Sequence, residues 1–151
     1  MKKLTGQCLC GAVAYEVVGE LGTIVNCHCS KCRRWHGAAF RTRAAILSQD
    51  FSWTRGEEHV SRYESSAPTI KTFCAICGSC LISILKDNPD YIGLPIGGLD
   101  QDPGKGPEMH IFVDSKAPWY EITDKLPQYQ EAPPEGLEKV RTGCTVLRPE
   151  V

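Results

Sequence analysis

The chain has 151 residues, which suits one domain, and its apolar fraction of 42% is within the ordinary globular range. A formal net charge of −1 excludes a protein that binds nucleic acid through its overall charge. No apolar run approaches the roughly 18 residues needed to span a membrane.

The first residues, Met1-Lys2-Lys3-Leu4-Thr5-Gly6-Gln7, are too polar for a signal-peptide core. The expectation is therefore a cytoplasmic, reducing location. There, nine cysteines are better explained by metal binding or catalysis than by disulfides. The odd count also argues against a fully paired disulfide framework.

Cys8 and Cys10 sit two apart, followed by Gly11. Val13, Tyr15 and Val17 then alternate with Ala12, Ala14 and Glu16, the pattern of a half-buried strand. Gly19 and Gly22 bracket a turn, and Thr23-Ile24-Val25 reads as a short strand running into Cys27-His28-Cys29-Ser30-Lys31-Cys32. Arg33–His36 reads as a helical turn ended by Gly37. Residues 39–46, 51–53, 59–63 and 69–73 read as further strands, broken by Gly56 and by Ser65-Ser66-Ala67-Pro68. Cys74-Ala75-Ile76-Cys77-Gly78 has the form of a zinc knuckle, and Leu81–Leu85 continues as a buried strand. Residues 91–99 are apolar but contain Pro95 and Gly97-Gly98, which predicts an edge or bent strand. His110–Val113 reads as a last strand, and 132–151 as a proline-rich tail packed as an arm at most. The sum is a mainly β domain with short helical turns, over about 5–131, followed by that tail.

Cys8, Cys10, Cys74 and Cys77 form two distant pairs. Together they make a four-thiolate set for a structural zinc, which leaves no vacancy at the metal. The competing reading is that they are unrelated core thiols. Cys27, Cys29 and Cys32 are left with no second pair. On an extended backbone Cys27 and Cys29 project to the same side, and a turn at Ser30 brings Cys32 back beside them. Two readings stay open. A protein side chain (His28, His36, His59, His110 or Cys80) completes a second structural site, or the fourth position takes water or a substrate thiolate. Three thiolates around zinc carry about −1 net charge, a soft and electron-rich set that favours recruiting another sulfur. His28, lying between two ligands, is expected to point away from the metal.

The surrounding charge favours an anionic ligand. From Leu21 to Gln49 there is no Asp or Glu, yet Lys31, Arg33, Arg34, Arg41 and Arg43 all fall there. Lys31, Arg33, Arg34 and Arg41 are the candidate substrate-binding residues, since arginine pairs with carboxylates in bidentate geometry. A solvated basic face is the bland alternative. Neither nucleic acid nor a membrane is expected as a partner, and a homo-oligomer is compatible with the sequence. Cys144 has no visible role.

Four motifs in order carry a resemblance: Gly6-Gln7-Cys8-Leu9-Cys10-Gly11; Cys27-His28-Cys29-Ser30-Lys31-Cys32 with Gly37-Ala38-Ala39-Phe40; Phe73-Cys74-Ala75-Ile76-Cys77-Gly78-Ser79; and His110-Ile111-Phe112-Val113 with Ser115-Lys116-Ala117-Pro118-Trp119. The chain resembles the glutathione-dependent formaldehyde-activating enzyme family from about residue 5 to about residue 135. Cys80 departs from the family pattern, which commonly has proline or another non-cysteine residue there. The resemblance implies a β-tent fold of small antiparallel sheets around two zinc ions. One is structural, on Cys8, Cys10, Cys74 and Cys77; the other is functional, on Cys27, Cys29 and Cys32. It also implies carbon–sulfur lyase chemistry that joins glutathione and formaldehyde into S-hydroxymethylglutathione, or the reverse. The alternative is a noncatalytic zinc protein that binds a thiol, an anionic metabolite or a protein partner.

Overall fold

The computed structural model describes residues 1–140; the Cys144 thiol and the rest of the expected tail lie outside them. The described residues form two sheets and one short α-helix. The smaller sheet has the order β1 (Lys3–Gln7), β2 (Ala14–Val18), β5 (Phe51–Arg55). The larger one contains β3 (Ile24–Cys27), β4 (Arg41–Leu47), β6 (Val60–Ser66), β7 (Thr69–Cys74), β8 (Cys80–Leu85), β9 (Tyr91–Pro95) and β10 (Met109–Ile111). Its order is β10-β3-β4-β9-β8-β7-β6, and every pair is antiparallel except β10 with β3. The expectation of a mainly β domain is borne out.

The alternation read at residues 13–17 does its work in the core. Val13, Tyr15 and Val17 turn inward against Ile24, Ile46, Leu81, Ile82, Ile92 and Leu94, with Phe51 and Trp53 packed beside them. Each fully buried aliphatic side chain contributes roughly 1.5–3 kcal/mol, which makes this cluster the main stabilising element.

Residues 91–95 are not an edge strand. β9 lies between β4 and β8, bonded on both sides. The breakers fall outside its middle: Pro95 is its last residue, and Gly97 and Gly98 belong to the 3₁₀ turn Ile96–Gly98 that follows. The beginning of the expected tail packs down. Val140 is buried, the Thr23 amide donates to the Lys139 carbonyl at 2.6 Å, and the Lys139 amide donates to the Thr23 hydroxyl at 2.8 Å.

Candidate functional site

The four-cysteine set assembles from both sheets. Cys8 and Cys10 lie in the link between β1 and β2, while Cys74 ends β7 and Cys77 follows it. All four sulfurs lie within 4.8 Å of one another, with Cys8–Cys10 at 3.6 Å and Cys10–Cys74 at 4.0 Å. A tetrahedral ion with metal–sulfur bonds of about 2.3 Å puts its sulfurs about 3.8 Å apart, so the donor set fits a soft metal ion. Each pair is followed by a left-handed glycine, Gly11 at φ 76° and Gly78 at φ 77°, a conformation other residues adopt only with strain. The Val13 amide donates to the Cys8 sulfur at 3.3 Å. The Ser79 hydroxyl, followed by the Ser79 amide, pulls Cys77 down to about 5, while Cys10, against the pull of the Ala12 amide, is pushed up to about 11 by burial and its hydrogen bond with Cys8.

The three-cysteine set is local in sequence and buried. β3 ends at Cys27, held between Arg41 of β4 and Ile111 of β10. Cys29 is the N-cap of α1 (Ser30–His36), its sulfur accepting from the Cys32 amide at 3.3 Å. The helix ends at Gly37, where the sequence placed its stop. The three sulfurs lie within 4.8 Å of one another, and among the described residues no His, Cys, Asp or Glu joins them. None of the candidate fourth ligands His28, His36, His59, His110 and Cys80 does so. Hydrogen bonds from Cys27 and Cys29 pull the Cys32 thiol far below its ordinary value, with Arg41 and Lys71 adding to the effect. The hydrogen bond with Cys29 pushes Cys27 well up. Three sulfurs that share protons in this way are a site where a cation can replace those protons.

His28 points away from this set, as its position on an extended stretch implies. It is fully buried, with Nε2 2.8 Å from His110 Nδ1, and His110 Nε2 is 2.9 Å from the Asp124 carboxylate. The carboxylate fixes the tautomers: His110 donates to Asp124, and His28 donates to His110. Burial, then the neighbouring His110, lowers the His28 value to about 4, so the ring is neutral. Phe40 and Tyr120 close over this pair.

Beside the three cysteines lies a partly open cavity of about 90 Å³. Lys31 and Arg41, two of the four basic residues expected at the substrate, line it together with all three cysteines. Arg33 and Arg34 are not among its lining; they sit on α1, Arg34 exposed to solvent. The cavity adds residues the sequence did not place there: Arg43, Lys71, Ser83, Tyr91, Gly93 and Phe112. Arg43 was legible in principle, since it stands two residues from Arg41 on one strand and so shares its face. Lys71 was not. It comes from β7 and reaches the site only through the register Lys71–Ser83–Gly93 across β7, β8 and β9.

Gly93 is the floor of the cavity. A Cβ there would lie 3.0 Å from the Ser83 hydroxyl, 3.3 Å from Arg43 Cδ and 3.4 Å from Arg41 Nη2. Its bare backbone lets both guanidinium stems cross the sheet, and its carbonyl accepts from Arg41 Nη2 at 3.0 Å. Arg43 donates to the Tyr91 hydroxyl at 2.5 Å and pairs with Glu138 at 2.6 Å. Burial, then the Arg41 charge, lowers the Lys71 amine from its ordinary value. Phe112 is the one non-glycine residue with a left-handed backbone among those described, at φ 54° and ψ 40°, and its ring packs against the three-cysteine cluster. A bulky residue in that conformation costs about 1–2 kcal/mol, which the surroundings must supply.

Comparisons with known proteins place the chain in a family. The family model described as glutathione-dependent formaldehyde-activating enzyme matches residues 3–115. A Halomonas elongata protein, provisionally named a glutathione-dependent formaldehyde-activating enzyme, is 30% identical over 129 residues, covering 81% of this chain and 82% of its own. A crystal structure of a Rhodobacter sphaeroides protein superposes with a TM-score of 0.56 at 29% identity, covering 68% of this chain and 97% of that one. Both cysteine clusters and every strand of both sheets fall inside the matched span, and the chain belongs to the glutathione-dependent formaldehyde-activating enzyme family.

Proposed function

We propose that the protein is a zinc-dependent enzyme of the carbon–sulfur lyase type. Its substrate on this reading is a thiol adduct such as S-hydroxymethylglutathione, formed from glutathione and formaldehyde, and its place of action is the cytoplasm. Cys8, Cys10, Cys74 and Cys77 would hold a structural zinc, and Cys27, Cys29 and Cys32 a functional one. The observation that carries the reading is the difference between the clusters. One is complete with four sulfurs, while the other has three and borders a cavity lined by cations.

Zinc bound to three thiolates supplies a place where a fourth sulfur is kept as the thiolate at neutral pH. The chain's own residues do the rest. Lys31 and Arg41 attract the anionic groups of the thiol, and Phe112 narrows the space beside the cysteines. Holding sulfur and aldehyde carbon together in that space is a proximity effect. In the forward direction a carbon–sulfur bond forms and the thiol proton ends on the former carbonyl oxygen; the reverse breaks the same bond. Free cysteines throughout the described residues suit the reducing compartment this chemistry needs.

Because thiols add to formaldehyde spontaneously, the test is the excess over the uncatalysed rate. Adduct formation should run faster with the zinc-loaded protein, and Cys29→Ser should abolish the excess. Equal rates with and without protein would remove this substrate and favour a noncatalytic zinc protein.

A further inference from the structure

The cavity beside Cys27, Cys29 and Cys32 holds more positive charge than its surroundings neutralise. Arg41, Arg43 and Lys71 are all buried, at 6%, 8% and 5% exposure. Arg43 has the Glu138 carboxylate. Among the described residues, Arg41 and Lys71 have no carboxylate within ion-pair distance, and no Asp or Glu lines the cavity. Arg41 spends Nη2 on the Gly93 carbonyl, while its Nε is buried with no hydrogen-bond partner. The Lys71 amine faces the Trp35 ring at 6.0 Å from its centroid. Apart from the neighbouring cysteine sulfurs, these two buried charges have no counter-ion among the described residues, which is costly, so together in one cavity they mark a place built for a further anion. Ser65, Ser66, Thr69 and Ser83 also line the cavity.

Charge and size narrow the anion. Three thiolates around a divalent ion carry about −1. Arg41, Lys71 and the partly buried Lys31 bring three positive charges, which leaves about +2 to be matched. A ligand with one thiolate and one carboxylate matches it; a neutral aldehyde with a simple thiol does not. The volume of about 90 Å³ takes on the order of six to nine water-sized groups. That suits a thiol and a carboxylate joined by a few carbons, whereas glutathione, more than twice as large, would place only its sulfur end inside.

We propose that this cavity binds a short mercaptocarboxylate, its carboxylate held between Arg41 and Lys71 while its sulfur meets the three-cysteine cluster. The proposal rests on the reading that this cluster takes an exchangeable sulfur. Lys71 is thereby a specificity-determining residue of the site, and a guanidinium or ammonium there reads the carboxylate by charge-assisted hydrogen bonds.

The test uses the full chain loaded with cobalt(II), whose optical spectrum changes when a further thiolate binds, titrated with 3-mercaptopropionate and with 2-mercaptoethanol. The two thiols are similar in size, and only the first has a carboxylate. The expected result is that 3-mercaptopropionate binds about ten- to a hundredfold more tightly. Lys71→Met should largely remove that advantage, and Lys71→Arg should retain it. Equal affinities of wild type for the two thiols would overturn the carboxylate assignment while leaving the sulfur reading intact. If neither thiol alters the spectrum, the sulfur reading fails and the proposal falls with it. Should Lys71→Met fail to fold, the comparison of the two thiols on the wild-type chain still decides.

Discussion

The two cysteine clusters should differ sharply in what they contribute to folding. The Cys10–Cys74 contact spans a sequence separation of 64 residues and fastens the small sheet to the end of β7. Closing a loop of that length removes about 4 kcal/mol of chain entropy from the unfolded state at 25 °C, by the relation used for disulfide cross-links. Cys27 and Cys32 stand only five positions apart, and the same relation gives about 2 kcal/mol. Set against a total stability of about 5–15 kcal/mol, the first loss is severe and the second tolerable. At about 2–4 °C per kcal/mol for a chain of this size, Cys77→Ser should lower the midpoint of thermal unfolding by roughly 8–16 °C, and Cys29→Ser by about half as much. The assay is thermal unfolding of both variants and the wild type, each with stoichiometric zinc and again after chelation. Chelation should remove most of the difference between Cys77→Ser and the wild type. Equal destabilisation by the two serine variants, or a Cys77→Ser protein as stable as wild type, would refute the assignment of the four-cysteine set as the structural cross-link.

Three further outcomes follow from single residues. Glu138→Ala leaves the buried Arg43 guanidinium without its carboxylate and should cost about 3–5 kcal/mol in denaturant unfolding, with m-value unchanged. Burial, followed by the Arg41 charge, lowers the His36 value to about 4, and its Nε2 is buried with no partner. Between about pH 6.5 and 4 the unfolded chain therefore binds a proton that the folded one does not. Stability at this residue is fully present above that window and declines as pH falls through it, so His36→Leu should flatten the acid limb of a stability–pH profile. Phe112→Asn places a residue that tolerates the left-handed backbone, recovering about 1–2 kcal/mol of strain against the lost packing of the ring. Its unfolding midpoint should move little, while thiol binding at the three-cysteine site weakens.

The two cysteine clusters were legible where spacing and backbone geometry are local. Cys27-x-Cys29 on an extended backbone puts both sulfurs on one side, so that cluster needed no tertiary information, whereas joining Cys8 and Cys10 to Cys74 and Cys77 across 64 residues rested on the pairing of motifs. The helical turn ended by Gly37 was likewise readable from local sequence, although the helix begins at Ser30, one turn before the expected Arg33. The cavity wall was only half legible. Lys31 stands between two of the cysteines in sequence and Arg41 is brought to Cys27 by the adjacent strand, but Lys71, Gly93 and Tyr91 arrive through strand order and register farther along the chain, which no short stretch encodes. The basic run 31–34 misled in part, because a helix distributes consecutive side chains around its axis; Lys31 meets the cavity and Arg34 meets solvent. β1 gave a weak signal, since of Lys3-Leu4-Thr5-Gly6-Gln7 only Leu4 and Gly6 are buried. Asp124, which fixes the His110 tautomer, lies in an irregular segment, and its role depends on where that segment folds back.

The central claim is that one site is closed by four sulfurs and the other keeps a position for a substrate sulfur. Cadmium NMR on the full chain with cadmium in both sites, before and after adding glutathione, tests it most directly, because the two ions report separately on their ligands. Two resonances are predicted: one in the four-sulfur range that glutathione leaves in place, and one that moves toward that range as a fourth sulfur joins Cys27, Cys29 and Cys32. Two resonances that both ignore glutathione would contradict the account.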